Sequence, residues 1–249
     1  MVGKSQIKFI KSLQQKKYRT EHKLFVVEGF KVVQELVNAN VKVYGIYVTD
    51  DKLLSGVNFS GELISETDLK KMSALKTPNN ILAVFYQPKT TLDTMNNDWV
   101  VALDDVRDPG NLGTIIRMCD WFGIPNLVCS EQTVDCYNPK TIQATMGSIA
   151  RVNIIYTNLP KFIKAAAMPI YGAFMDGVSI YQQDLSTEKG VLVLGNEANG
   201  VSREVENLVT KKVSIPQFGK QTAESLNVAT ATAILLNEIR RGLKVSTQK

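Results

Sequence analysis

The sequence predicts an α/β fold built around a parallel sheet, on three observations. Short runs at 99–103, 126–129, 152–155, 170–174, 191–194 and 213–215 are largely apolar, as strands buried on both faces are. Helix-length segments at 112–122, 139–148 and 225–241 separate several of them, the alternation of a sheet covered by helices. The last two runs each end in a loop of Gly, Asn, Pro and Ser, at 195–200 and 215–219. At the carboxyl ends of parallel strands, such loops present backbone to a ligand.

The 249 residues suffice for one large domain or two small ones. Between 87 and 98 the composition turns to QPKTTLDTMNND, almost without apolar residues, and a linker is expected there. It divides the chain into 1–95 and 96–249. In the first unit, Ile7, Ile10 and Leu13 give a weak helical period. A strand follows at 24–28, and Gly29 opens a helix carrying Val32, Val33, Leu36 and Val37. A strand at 41–48, a short helix at 67–73 and a strand at 81–86 complete a small α/β unit. In the second unit Asp108-Pro109-Gly110 is a turn and Asn111 the expected cap of the next helix. Ser225 is expected to cap the last helix, and Gly242 to follow it as a left-handed C-terminal residue.

Composition excludes several classes. Apolar residues make up 44% of the chain, yet no stretch approaches the roughly 20 that a membrane span needs. The first residues, MVGKSQIKFIKSLQQKK, lack an apolar signal segment, so a cytoplasmic setting is expected. Three cysteines, Cys119, Cys129 and Cys136, and the single His22 are not at metal-ligand spacing. Buried, reduced thiols and no metal are expected. Charge is concentrated: residues 1–31 hold eight Lys/Arg against Glu21 and Glu28, a local +6 in a chain whose total is +5. A basic end of this kind suits a polyanion.

Three blocks carry candidate chemistry. In DDVRDPGNLGTIIRMCDWFGI, residues 104–124, Arg117 lies off the buried stripe of Leu112, Ile115, Ile116 and Cys119. Gly113, one turn before it, leaves room for the guanidinium to lie back over the helix start. Asn111 and Arg117 can then share a pocket. In the loop 195–200, GNEANG, the glycines let backbone approach a ligand, and Glu197 is a lone carboxylate able to meet a cation. It is neither a P-loop nor a dinucleotide fingerprint. In the third block, IPQFG at 215–219 precedes ESLNV at 224–228 and a helix whose Ala229, Ala231 and Ala233 allow close approach of another element.

Taken in order, N-x-G-x-x-x-R at 111–117, G-x-E-x-x-G at 195–200 and I-P-x-x-G…E-S-L-N-V at 215–228 resemble the SpoU (TrmH-like) RNA ribose 2′-O-methyltransferases. The resemblance covers 99–241. The first unit resembles that family's substrate-binding domain, a small fold similar to ribosomal protein L30e, with Tyr18-Arg19 and Phe25-Val26-Val27-Glu28-Gly29 at matching positions. The resemblance implies a C-terminal α/β knot, a deep trefoil that periodicity alone would not suggest. It implies S-adenosylmethionine as cofactor, held around Leu194, Gly195, Asn196, Gly200, Ile215, Gln217, Ser225 and Leu226. Two departures are Gln217, where the family often has Met, and Ala229, where it often has Ser.

The catalytic set it implies is Arg117, Asn111, Glu197 and Asn227. The family's arginine is proposed as the base. An arginine stays protonated in proteins, however, and phosphate positioning with alkoxide stabilisation is the chemistry that fits. The resemblance also implies structured RNA as partner, ribosomal RNA before transfer RNA, with Lys16, Lys17, Arg19 and Glu28 facing it, and a homodimer through the second unit. The aromatic content is too low to argue for stacking on single strands. A non-catalytic RNA-binding protein is the alternative of a different class, and it has no need of Asn111, Glu197 and Asn227 together.

Overall fold

A computed structural model describes residues 2–90, 98–183, 185, 189–219 and 224–241. Most of the expected linker, at 91–97, and Gly242 lie outside these residues. The first unit begins with two basic helices, α1 (Lys4–Ser12) and α2 (Lys16–His22). Lys23, in the left-handed region at φ 54°, ends α2 and turns the chain into β1 (Leu24–Glu28). Next come α3 (Phe30–Asn38), β2 (Val43–Val48), the short β3 (Glu62–Leu63), α4 (Glu66–Met72) and β4 (Ile81–Tyr86). Their sheet order is β1-β4-β2-β3, with β4 antiparallel to both β1 and β2.

The second unit follows the expected alternation. Its elements are β5 (Val100–Leu103), α5 (Pro109–Trp121) and β6 (Asn126–Ser130). After α6 (Pro139–Thr145) come β7 (Asn153–Thr157), α7 (Leu159–Ala165) and β8 (Ile170–Ser179). β9 (Val191–Leu194), α8 (Arg203–Glu206), β10 (Lys211–Ser214) and α9 (Val228–Arg241) complete it. Six strands form one parallel sheet in the order β10-β8-β9-β5-β6-β7. On one face Val100, Ala102, Val128 and Val193 pack with Leu159 and Ile163 of α7 and Val205 of α8. Val101 and Leu103 alternate to the other face and are fully buried. The packed pair α5 and α9 buries Leu112, Ile115, Ile116, Leu235, Leu236 and Ile239.

The chain divides into compact units of 1–89 with 135–151, and 90–134 with 152–249. A single break near 95 therefore does not describe the packing: α6 returns to the first unit and lies on β1. Tyr137, just before α6, packs against Phe25 with tilted rings whose centroids are 4.7 Å apart. Burial pushes the Tyr137 hydroxyl far above its ordinary range. Sequence pattern could not assign α6, because periodicity marks a buried helix face without saying which sheet covers it.

Two expected caps are corrected. Asp108, not Asn111, caps α5: its side chain accepts from the Asn111 amide, and Pro109 takes the first helical position, which suits a residue without N–H. Asn227, not Ser225, caps α9, its Oδ1 accepting from Ala229 N at 2.9 Å and Thr230 N at 3.2 Å. Both shifts leave an asparagine at a helix start whose NH₂ bonds outside its own helix. Helices α7 and α8 were not expected; both are short, and their apolar positions are too few to show a period.

Arg19 and Glu28, expected to face RNA, belong instead to the frame of the first unit. Arg19 is 3% exposed. Its Nη1 donates to the carbonyls of Leu13 and Gln14, and its Nε and Nη2 to Asp135 Oδ2 at 3.0 and 2.6 Å. Glu28 is buried and accepts from Ser73 Oγ at 2.6 Å and Ala74 N at 2.9 Å. Lys16 and Lys17 are exposed. Removing one member of a buried ion pair strands the other, at a cost of about 3–5 kcal/mol. Arg19→Met is therefore expected to lower unfolding stability by about that amount in urea titration, and a loss below 1 kcal/mol would contradict the clamp.

Candidate active site

A cavity of about 740 Å³ opens among the ends of β9 and β10, the middle of β8 and the start of α9, all within the second unit. Its walls include Leu194, Gly195, Asn196, Gly200, Ile215, Gln217, Ser225 and Leu226, every residue that the family resemblance placed around the cofactor. Glu197 also lines it.

The first wall is a closed turn. After β9, Asn196 and Gly200 exchange two backbone hydrogen bonds of 2.9 Å. A Cβ on Gly195 would lie 2.1 Å from the Gly200 carbonyl carbon, so only glycine fits. Gly200 itself takes φ 67°, a left-handed conformation that costs glycine least. Asn196 is spent on this turn: its Oδ1 accepts from Ala198 N and Asn199 N, and its Nδ2 donates to Asp105 O at 2.7 Å.

The second wall comes from a break in strand register. β10 pairs with β8 through Lys211↔Tyr171 and Lys212↔Gly172, then resumes at Val213↔Val178. Residues 173–177 of β8 are left outside the ladder, and Ala173, Phe174 and Met175 line the cavity. Gly177 closes the break; a Cβ there would meet the Val213 backbone at 2.5 Å. Sequence reasoning missed these residues because the run reads as plain strand.

The three motif blocks meet in one hydrogen-bonded chain. Asn111 Nδ2 donates to Glu197 Oε1 at 2.9 Å, and Asn227 Nδ2 donates to Asn111 Oδ1 at 2.9 Å. With Asn227 Oδ1 capping α9, both amide orientations are dictated. An ionised carboxylate only accepts and helix N–H groups only donate, so each amide must turn its NH₂ toward Glu197 and its oxygen toward α9. Glu197 Oε1 thus accepts from Asn111, and its Oε2 faces the Arg107 backbone N–H at 3.5 Å.

Two residues at the end of β5 support this chain and were not singled out from the sequence. Asp104 Oδ2 accepts from Ser202 N at 2.7 Å, tying down the exit of the glycine turn. Asp105, at φ 58°, receives Asn196 through its carbonyl and Arg107 through both carboxylate oxygens at 2.9 Å. The hydrogen bonds and charge of Asp105 hold Arg107 above its ordinary pKa. Two acids directly after an apolar strand were the available signal. Arg117 is exposed on α5 and makes no hydrogen bond or ion pair among the described residues, leaving its guanidinium available. Its six-residue separation from Asn111 amounts to about 9 Å along the helix.

Among the described residues no group of His, Cys, Asp and Glu could hold a metal, and no helix is long and apolar enough to cross a membrane. All three cysteines are buried thiols outside any disulfide, and burial raises the Cys119 thiol well above its ordinary value.

A parallel α/β sheet with a glycine-walled cavity beside a Glu–Asn–Asn chain defines a class of ligand-binding α/β domain. Residues 98–237 match the SpoU rRNA Methylase family, and the protein belongs to it. Residues 4–83 match the MRM3-like substrate binding domain. The chain is similar to the 23S rRNA (guanosine(2553)-2′-O)-methyltransferase RlmP of Bacillus subtilis, 33% identical with 94% of this chain and 95% of that one covered. It is similar in structure to a TrmH-family protein of Porphyromonas gingivalis, with TM-score 0.89, 37% identity and 97% and 99% coverage. An AdoMet-bound rRNA methyltransferase of Sinorhizobium meliloti superposes with TM-score 0.87 at 31% identity, covering 98% of each chain.

The Gly195→Ala variant is expected to open the turn and destroy ligand binding in the cavity, measured by calorimetry. Unchanged binding would show that the turn tolerates a side chain. Asn111→Asp sets two carboxylates against each other, so activity should fall well below that of Glu197→Gln, whose amide oxygen still accepts. Equal losses in both variants would contradict the dictated polarity.

Proposed function

We propose that the protein transfers a methyl group from S-adenosylmethionine to a ribose 2′-hydroxyl of ribosomal RNA. The observation that carries this is the cavity, in which all eight residues expected to hold the cofactor converge. Its volume of about 740 Å³ lies within the roughly 300–1,000 Å³ of small-molecule sites. Backbone at Leu194, Gly195, Ile215, Gln217 and Leu226 would hold the adenine and ribose. Bound there, the cofactor supplies an electrophilic methyl on a sulfonium, chemistry for which the site needs no metal ligands.

The protein's own residues have divided tasks. Arg117, permanently charged and exposed, holds the phosphate next to the target ribose and stabilises negative charge as it grows on the 2′-oxygen. It is not the base; the proton leaves to phosphate or water. Asn111 and Asn227 keep the rim rigid, with Glu197 setting their orientation. Exposed Lys16 and Lys17 in the first unit attract the RNA backbone. The same reading includes a knotted C-terminal path, a homodimer through the second unit and a cytoplasmic setting. Ribosomal RNA is favoured because the similarity to an enzyme named for 23S rRNA runs through the N-terminal unit as well.

The Arg117→Ala variant is expected to bind S-adenosylmethionine normally while turnover falls by about 10²–10³-fold, in a tritium-transfer assay on rRNA. Wild-type turnover would remove Arg117 from the mechanism. Mapping 2′-O-methyl groups in a deletion strain identifies the substrate: a methyl missing from tRNA instead of rRNA would overturn the rRNA assignment.

A further inference from the structure

The first unit gathers aromatic rings that the low aromatic content of the chain did not foreshadow. Phe9 of α1, His22 at the end of α2, Tyr44 of β2 and Tyr86 of β4 form one contiguous set. Ring centroids lie 5.0 Å apart for Phe9–His22, 5.9 Å for Phe9–Tyr44 and 6.0 Å for Tyr44–Tyr86. Lys42 Nζ stands 4.6 Å from the Tyr86 centroid. Phe9 and Tyr86 rest partly on the core under α1, which accounts for them as packing.

Packing does not account for Tyr44. It is 42% exposed, beside the exposed Val43. The β2–β4 ladder pairs Val43 with Phe85 and Gly45 with Val84, so Tyr44 is the extra residue of a bulge. A bulge re-aims a side chain at some expense to the ladder. Here it sets an aromatic ring against Phe9 and Tyr86 at the surface. Gly45, next to it, leaves room for the Tyr47 ring: a Cβ there would approach Tyr47 Oη at 2.8 Å. Exposed Lys8, Lys23 and Lys42 lie on the same segments, against the exposed Glu21.

We infer that Tyr44, with Phe9, Tyr86 and Lys42, forms a stacking platform for unpaired nucleotides of the RNA substrate. The inference rests on the substrate being RNA and adds which part of it the first unit reads. The charge selects a polyanion, and the exposed ring selects one whose base faces are free. A duplex buries those faces within its own stack, whereas loops and single strands offer them. Lys42 sits where it can hold a phosphate beside a base on Tyr44.

The test uses the full-length protein with two fluorescein-labelled probes, a 12-nucleotide single-stranded RNA and a 12-base-pair RNA duplex. Tyr44→Ala is expected to weaken single-strand binding by about 5- to 100-fold and to leave duplex binding nearly unchanged. Tyr44→Phe, which keeps the ring, should restore single-strand binding. A strand carrying 5-iodouridine should photo-crosslink to Tyr44, Phe9 or Tyr86. Urea titration of each variant checks that the bulge still folds. Equal single-strand affinity for Tyr44→Ala and wild type, or equal loss on both probes, would overturn the platform while leaving the methyltransferase reading intact. If the wild-type protein binds neither probe and methylates no RNA, both fall. Tyr44 variants that keep RNA binding but lose a co-purifying ribosomal protein would make the patch a protein interface instead.

Discussion

Glu197, Asn111 and Asn227 form the interaction on which the site depends. The three residues come from the turn after β9, the first turn of α5 and the cap of α9, segments far apart in sequence. Their hydrogen bonds have a fixed direction, set by an acceptor-only carboxylate at one end and helix N–H donors at the other. Each amide serves two neighbours, so neither can rotate without breaking a bond on both sides. That fixed direction ties the first turn of α5 and the cap of α9 to Glu197, a wall residue of the cavity. Two cap assignments follow from the same fact. Asp108 relieves Asn111 of capping α5, and Asn227 caps α9 with its oxygen while its NH₂ faces the site.

The cavity itself is made by backbone in unusual arrangements. The turn at 195–200 closes only because Gly195 has no side chain, and β8 leaves its ladder for five residues between Gly172 and Val178. Asp104 and Asp105 at the end of β5 hold that turn from below, through Ser202 and Asn196. The acidic pair is thus structural support for the residues proposed to act, and its substitution would be felt at the ligand without contact to it.

The first unit shows that a residue at a matching family position need not touch a ligand. Arg19 and Glu28 occupy such positions, yet both are buried, and their polar atoms bond within the unit. Arg19 reaches Asp135, some hundred residues later in the chain, and so binds the returning segment 135–151 to the N-terminal sheet. The unit's available chemistry lies elsewhere: exposed lysines of α1 and α2, and a bulge that turns Tyr44 outward.

Strand order along the chain, the parallel character of the second sheet and the loops that wall the cavity were legible in the sequence. Hydrophobic runs and glycine positions are local properties, and burial on both faces leaves a continuous apolar signature. The family motifs were legible for the same reason, and Asn111, Glu197 and Asn227, which those motifs name, are joined by hydrogen bonds in the fold. What only the tertiary structure decided was how those residues are used. Hydrogen-bond direction, the choice between Asp108 and Asn111 as cap, the register break in β8, the return of α6 to the first unit and the burial of Arg19 all depend on partners distant in sequence. No periodicity encodes a partner more than one turn or one strand away, and burial turns a charged side chain from a ligand contact into a clamp.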